Sequence, residues 1–210
     1  MWTIRVTLLV TLGAFLGVDS FLLCHRKKYS RLAENRAVNI AIVAAHLVVT
    51  FALVILPPAG GWNARPGWLC QGGVRIGFAV MGAALVGAGI VLAPLGLKQR
   101  KAVGLQGSPK GLVTSHAYRY FRHPIYTGIL WTALGLALWT RNPDGLLIFP
   151  ALFLVYLTLT LLEERRGVGA TFGEKYQVYR QTTRMFGPVW LWTTILMAIV
   201  LIAVSAWIRS

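Results

Sequence analysis

Apolar positions in this chain come in long blocks, without the alternation of a strand or the one-sided stripe of a soluble helix. The blocks run from Trp2 to Cys24, Ala37 to Leu56, Val74 to Leu97, Pro124 to Thr140, Gly145 to Leu162 and Pro188 to Ile208. Each is about 17 to 24 residues long, which at 1.5 Å per residue matches a hydrocarbon core of about 30 Å, the fourth and fifth at the short end. The pattern predicts an all-α, polytopic membrane protein with about six transmembrane spans. The first block continues to Cys24 without a small-residue cleavage site, so it reads as a retained span and not as a signal peptide.

Composition agrees: the chain has 210 residues, of which 56% are hydrophobic, too apolar for a soluble domain of that size. The net charge of +15 does not point to nucleic acid, because the cations sit between the apolar blocks. The first break carries Arg26, Lys27, Lys28, Arg31 and Arg36. The third carries Lys98, Arg100, Lys101, Lys110, Arg119 and Arg122, and the fifth Arg165, Arg166, Lys175, Arg180 and Arg184. These are 16 of the 21 basic residues, whereas the second break has Arg65 and the fourth has Arg141 balanced by Asp144. The positive-inside rule places the odd-numbered breaks in the cytoplasm and both termini outside, in a multi-pass protein of the plasma membrane. The stretch 57–73, rich in Pro, Gly and Trp, reads as a short excursion at the interface. Cys24 and Cys70 lack metal-ligand spacing and take no role, so no metal site is expected.

Residues 1–110 read as scaffold of a single 1–210 domain. Gly82, Gly89 and Gly96 recur every seven residues, and Gly73 with Gly77 forms a GxxxG, so one face of the third span can approach a neighbour closely. Asp19 and His46 are ionisable groups inside spans and so are candidates by default. Asp19 is near enough to the cytoplasmic end for Lys27 or Lys28 to neutralise it, and His46 reads as a neutral core histidine.

The chemistry concentrates in 111–188, with 189–210 left as a C-terminal span. In GLVTSHAYRYFRHPIYTG, Pro124 suits the first position of a helix and leaves His123 in the capping place. The first turn would present N–H groups and the positive dipole end to an anion, with Arg119 and Arg122 adding two cations on the same side. Tyr126 supplies a ring and hydroxyl within one turn, and Gly128 lets something approach the backbone. In LLEERRGVGATFGEKYQVYRQTTRMFGP, Glu163, Glu164 and Glu174 are half of the six acidic residues. A helix C-terminus with carboxylates favours a bound cation. Phe172, Tyr176 and Tyr179 then recur at helical spacing, predicting a short amphipathic helix that shows aromatic rings to the site or to lipid. Residues 163 and 164 stand about 100° apart on an α-helix, so only one should enter the pocket fully. Counting back from Phe172 favours Glu164, whereas the pair as it stands would give both residues a share, with Glu163 holding Arg119 or Arg122.

These two stretches complement a ligand that carries a carboxylate, an ammonium, a sulfonium and an adenine, as S-adenosylmethionine does. YRYFRHPIYTG, then a Glu pair at the end of the next span, then FGEKYQVYR, also resembles the isoprenylcysteine carboxyl methyltransferase and phospholipid methyltransferase superfamily, over about residues 111 to 188. The resemblance implies cofactor binding by Tyr118, His123, Pro124, Tyr126, Gly128, Glu163 and Glu164, and catalytic roles for Arg119, Arg122 and His123. The chain departs from the family pattern twice. His116-Ala117 replaces the Gly-Pro that often precedes the first Tyr, and the spacing from the Glu pair to Phe-Gly is one residue longer. The longer spacing allows Glu164 to be the essential carboxylate with Arg165 in the second Glu's place.

The resulting expectation is a membrane methyltransferase with a cytoplasm-facing cofactor site, whose lipid-like, amphiphilic acceptor enters from the bilayer and contacts His116, Arg165, Arg166 and Tyr176. An isoprenylcysteine-like carboxylate is favoured; a phospholipid amine and a small thiol also fit. An amine would have to lose a proton, for which His116 or His123 is the nearest base. The rival readings are a membrane reductase binding NADPH, in which the Glu pair would be misplaced, and a non-enzymatic helical membrane protein.

Overall fold

The structure, a computed structural model, describes residues 2–24, 36–57, 67, 71–101, 111–188, 192, 193 and 195. Its helices are α1 (Trp2–Cys24), α2 (Arg36–Ile55), α3 (Gly72–Lys101), α4 (Ala117–Tyr120), α5 (Pro124–Trp139) and α6 (Pro143–Glu163). A π-helical turn at Glu164–Val168 follows, then α7 (Gly169–Phe172) and α8 (Glu174–Thr182). No strand occurs among the described residues beyond an isolated parallel bridge between Phe121 and Arg184. The first five apolar blocks are thus helices. The sixth lies almost wholly outside the described residues, as do the side chain of Asp19, Cys70 and most of the 57–73 stretch.

Two helices are long and apolar enough to cross a membrane, Gly72–Gln99 and the continuous run Pro143–Phe172; Thr3–Ala14, Ala44–Ile55 and Pro124–Trp139 are shorter apolar helices. The run from Pro143 has 30 residues, and about 20 suffice for the hydrocarbon core. Its apolar part ends at Leu162, so the turns from Glu163 onward extend past the core.

Helices α3 and α5 form the most extensive pair in the bundle. They run antiparallel along the glycine repeat, with Gly82 against Trp139 and Gly135, Gly89 against Thr132 and Gly128, and Gly96 against Pro124 and Ile125. A Cβ on Gly82 would lie 2.6 Å from the Trp139 backbone nitrogen, which is why glycine is needed along this seam. Among the described residues nothing stands within 4 Å of a Cβ at Gly73 or Gly77. Inside α5 the hydroxyls of Thr127 and Thr132 donate to the carbonyls of His123 and Gly128 at 2.9 Å, so a buried apolar helix tolerates them. His46 is buried in α2, and one turn on Thr50 meets Tyr156 of α6, hydroxyl to hydroxyl, at 3.0 Å.

One end of the bundle is closed by a charge that the sequence pattern did not assign to it. Arg5, fully buried, pairs with Asp144 and donates to the carbonyls of Leu56 and Pro57 at 2.9 Å. Asp144 thus pairs with a residue of the first helix, far from it in sequence. Asn142 adds a donation from Nδ2 to the Val54 carbonyl at 2.8 Å. Buried polar groups need such partners, and together these residues fasten α1, α2 and the α5–α6 turn.

Candidate functional site

The opposite end gathers the segment before α5, the end of α6, the π-turn and α8. Helix α5 starts as expected, with Pro124 in its first turn and His123 at the cap, although the His123 side chain makes no capping bond. The chain before it is held down in an extended pairing: Arg122 N–H donates to the Arg184 carbonyl at 2.8 Å and His123 N–H to the Met185 carbonyl at 3.3 Å.

The end of α6 departs from α-helical geometry. Gly169 N–H bonds to the Glu164 carbonyl five residues back, and a Cβ at Gly169 would collide with that oxygen. A π-turn is a one-residue insertion in a helix. The extra residue between the Glu pair and Phe172 is absorbed there.

Glu163 and Glu164 both keep α-helical backbone angles, so their side chains leave the helix in different directions. Glu164 is 4% exposed, and its Oε1 accepts from Arg122 Nε at 2.9 Å and from His123 Nε2 at 3.0 Å. Glu163 Oε2 stands 3.7 Å from His123 Nδ1. The imidazole of His123 thus lies between the two carboxylates, with Glu164 the nearer and more buried of the two. Glu164 Oε2 has no hydrogen bond; Arg180 Nε is its nearest cation, at 3.9 Å. The buried hydroxyl of Tyr176 faces the same carboxylate, also without a hydrogen bond of good geometry. Burial pushes the Glu164 carboxyl up, but the donors on His123 and Arg122, with help from Tyr176, outweigh it and hold the group down at about 2. Burial and the neighbouring Glu164 charge raise the Tyr176 phenol, which stays protonated.

Arg122 is the hub of this end. Besides Glu164 it reaches the Arg180 carbonyl at 3.0 Å and the Thr183 carbonyl through Nη1. Tyr179 Oη donates to the Tyr118 carbonyl at 2.5 Å. Aromatic rings continue from the polar cluster into the bundle. His123 stacks on Tyr126 at 5.9 Å and 7°, Tyr126 meets Tyr156 at 5.7 Å, and His123 meets Phe186 edge-on at 6.4 Å. Phe153 lies 5.8 Å from Phe186 and 5.1 Å from Trp192.

The expected site residues therefore divide. Arg122, His123, Glu163, Glu164, Tyr126 and Tyr176 come together. Tyr118 is half-buried beside them, its hydroxyl 3.5 Å from the Gly96 carbonyl. Pro124 packs against Gly96, and the close approach that Gly128 allows is taken by Ala93 of α3. Arg119 and Arg122 do not share a side: Arg122 turns inward while Arg119, at the end of the single-turn α4, is exposed. Arg165 and Arg166 lie on the exposed side of the π-turn, and His116 is exposed with Nδ1 3.1 Å from Ser115 Oγ. Tyr176 and Tyr179 are buried toward the cluster, so α8 shows its rings to the site and not to lipid. Sequence reasoning missed Arg180, Phe153, Phe186 and the carbonyl of Thr183. Of these only Arg180 carried a signal, being one turn beyond Tyr176 on the same helix.

A family model described as Phospholipid methyltransferase matches residues 78–175. Methanethiol S-methyltransferase 1 of Bradyrhizobium diazoefficiens is 31% identical over 88 residues, which are 41% of this chain and 29% of that relative. The match therefore spans less than a third of the relative's length. No solved structure matches the chain. The matched segment 78–175 holds most of the glycine seam, the Arg-His-Pro step and the Glu pair, and is similar to phospholipid methyltransferases.

Proposed function

We propose that this chain is an S-adenosylmethionine-dependent membrane methyltransferase whose acceptor is a small thiol. The observation that carries the cofactor assignment is Glu164 Oε2, an ionised carboxylate oxygen, buried and without a hydrogen bond, beside the start of α5. Such an oxygen suits an ammonium group, and a buried unpaired acceptor is costly otherwise. The first turn of α5 suits a carboxylate, and the Tyr126 and Tyr176 rings suit a sulfonium or an adenine face. A dinucleotide would bring phosphates to the two carboxylates, which disfavours the reductase reading.

When bound, the cofactor would supply a methyl group activated by its sulfonium: the acceptor would bond to the methyl carbon as the sulfur–methyl bond breaks and the neutral thioether leaves with the electron pair. The protein's share is alignment and exclusion of water, effects that supply several kcal/mol in such reactions. Glu164 holds the cationic end, Arg122 and His123 fix Glu164, and the rings from Tyr126 to Trp192 shape an apolar approach. The acceptor arrives already deprotonated, its proton having passed to solvent. A thiol does this at accessible pH far more readily than an alcohol.

The small-thiol reading rests on the name of the matched relative and on the cations. Arg122 is committed to Glu164 and to carbonyls, and Arg119, Arg165 and Arg166 are exposed. An isoprenylcysteine-like carboxylate would want a cation beside the apolar wall. The test is purified protein with labelled cofactor and, in parallel, methanethiol, farnesylcysteine and phosphatidylethanolamine. Label moving to farnesylcysteine alone would return the acceptor to the carboxylate class, and calorimetric binding of NADPH in place of the cofactor would reject the reading altogether.

The topology belongs to the same proposal: six spans, both termini outside, and the Glu164 end facing the cytoplasm across the plasma membrane. The basic stretches before α5 and after α6 lie at that end, while the Arg5–Asp144 pair lies at the other. Cysteines placed at Thr140 and Thr182 should label from opposite sides, and labelling from one side would sink the arrangement.

A further inference from the structure

The part of the chain that covers Glu164 is attached in an unusual way. Residues 174–186 lie between Gly173, with φ +50°, and Gly187, with φ +100°, two backbone states that glycine adopts freely. Between these glycines the strap is tied down by its own carbonyls and by one tyrosine. Arg122 Nη1 donates to the carbonyls of Arg180 and Thr183, the backbone of Arg122 and His123 pairs with Arg184 and Met185, and Tyr179 donates to Tyr118. None of these attachments uses the Arg180 side chain. That side chain is 51% exposed, yet its Nε stands 3.9 Å from Glu164 Oε2. Oε1 already accepts from Arg122 and His123, whereas Oε2, buried, accepts no hydrogen bond and has its accepting capacity unfilled.

We infer that Arg180 is a gating residue, its guanidinium competing with the cationic end of the cofactor for Glu164 Oε2. This rests on the reading of Glu164 as the cofactor's carboxylate. Two cations at one carboxylate oxygen repel each other, and the weaker-held one leaves. Arg122 is nearly buried and held by three acceptors, whereas the Arg180 side chain has its other half in solvent and an open path outward. Arrival of an ammonium at Oε2 therefore turns the Arg180 side chain out while the backbone ties of the strap stay in place. The consequence is selectivity for ligands whose cation can outbid a guanidinium, and a slower association than an open carboxylate would show.

The test uses the full chain in nanodiscs, with calorimetric and stopped-flow binding of S-adenosylmethionine to wild type, Arg180→Gln and Arg180→Lys. Removing the competitor in Arg180→Gln should tighten binding by about two- to fivefold, the range a partly exposed ion pair supports. Association should also quicken, and Arg180→Lys, which keeps the charge, should stay close to wild type. The unfolding midpoint should not move in either variant. Equal or weaker binding by Arg180→Gln overturns the inference, weaker binding meaning that the guanidinium holds the ligand's carboxylate. A midpoint that falls with Arg180→Gln also overturns it, because the side chain would then be part of the fold. Failure of wild type itself to bind defeats the functional reading, and this inference with it.

Discussion

Arg122 Nε donates to Glu164 Oε1 at 2.9 Å, joining residues 42 apart in sequence. The same guanidinium takes the carbonyls of Arg180 and Thr183, so one side chain sets the distance between the start of α5, the π-turn and the strap. Lysine carries the charge but cannot reproduce a planar fork with three acceptors. Arg122→Lys should lower stability by about 2 kcal/mol, on the scale of charged hydrogen bonds, and weaken cofactor binding with it. Thermal unfolding in detergent checks the first effect and calorimetry the second.

Glu164→Gln should weaken S-adenosylmethionine binding by about ten- to a hundredfold, the loss of one charged hydrogen bond to a desolvated ammonium. Glu163→Gln should cost less, since Glu163 stands 3.7 Å from His123 and is more exposed than Glu164. Equal affinity in both variants and wild type would remove the carboxylates from the cofactor site.

Acid stability follows from the same carboxylate. Its ordinary value of 4.5 is lowered in the folded protein to about 2, so the stabilisation it gives is complete above 4.5 and is lost as pH falls through that window toward 2. The unfolding midpoint of wild type should drop across that range, and the drop should be shallower in Glu164→Gln. A profile identical in the two proteins would show that the group does not titrate with folding.

The seam between α3 and α5 makes a paired prediction. A Cβ at Gly89 would lie 2.5 Å from the Gly128 carbonyl oxygen, while nothing stands within 4 Å at Gly77. Gly89→Ala should cost about 1 to 3 kcal/mol through overpacking. Gly77→Ala should be neutral or slightly stabilising, because alanine favours the helix. Unfolding of the two variants side by side checks it.

Local chemistry was legible in the chain before any coordinates. The proline after His123 marks the start of α5 because a missing N–H is harmless only there, and the glycine period of seven marks the face that α5 covers. The relation of Glu163 to Glu164 was not legible. Both residues keep α-helical angles, and one imidazole meets both carboxylates because the start of α5, distant in sequence, places the His123 ring between them. The separation of Arg119 from Arg122 was hidden for a different reason: the chain leaves the helix at Phe121, which is extended, and the spacing rule stops applying. Arg5 gave no sign of its partner at all, since nothing local connects it with a residue so far downstream.

The pairing of Arg5 with Asp144 also sets an order of events during synthesis. The two residues are 139 positions apart, so at about 5 to 20 residues per second the cation precedes its counter-ion by on the order of 10 s. Through that interval α1 carries a charge destined for a dry site. The Leu56 and Pro57 carbonyls reach it first, and only translation past α5 brings the carboxylate. The end of the bundle nearest the first residues is therefore among the last to close, and a chain stalled before Asp144 holds a helix whose charge has no match.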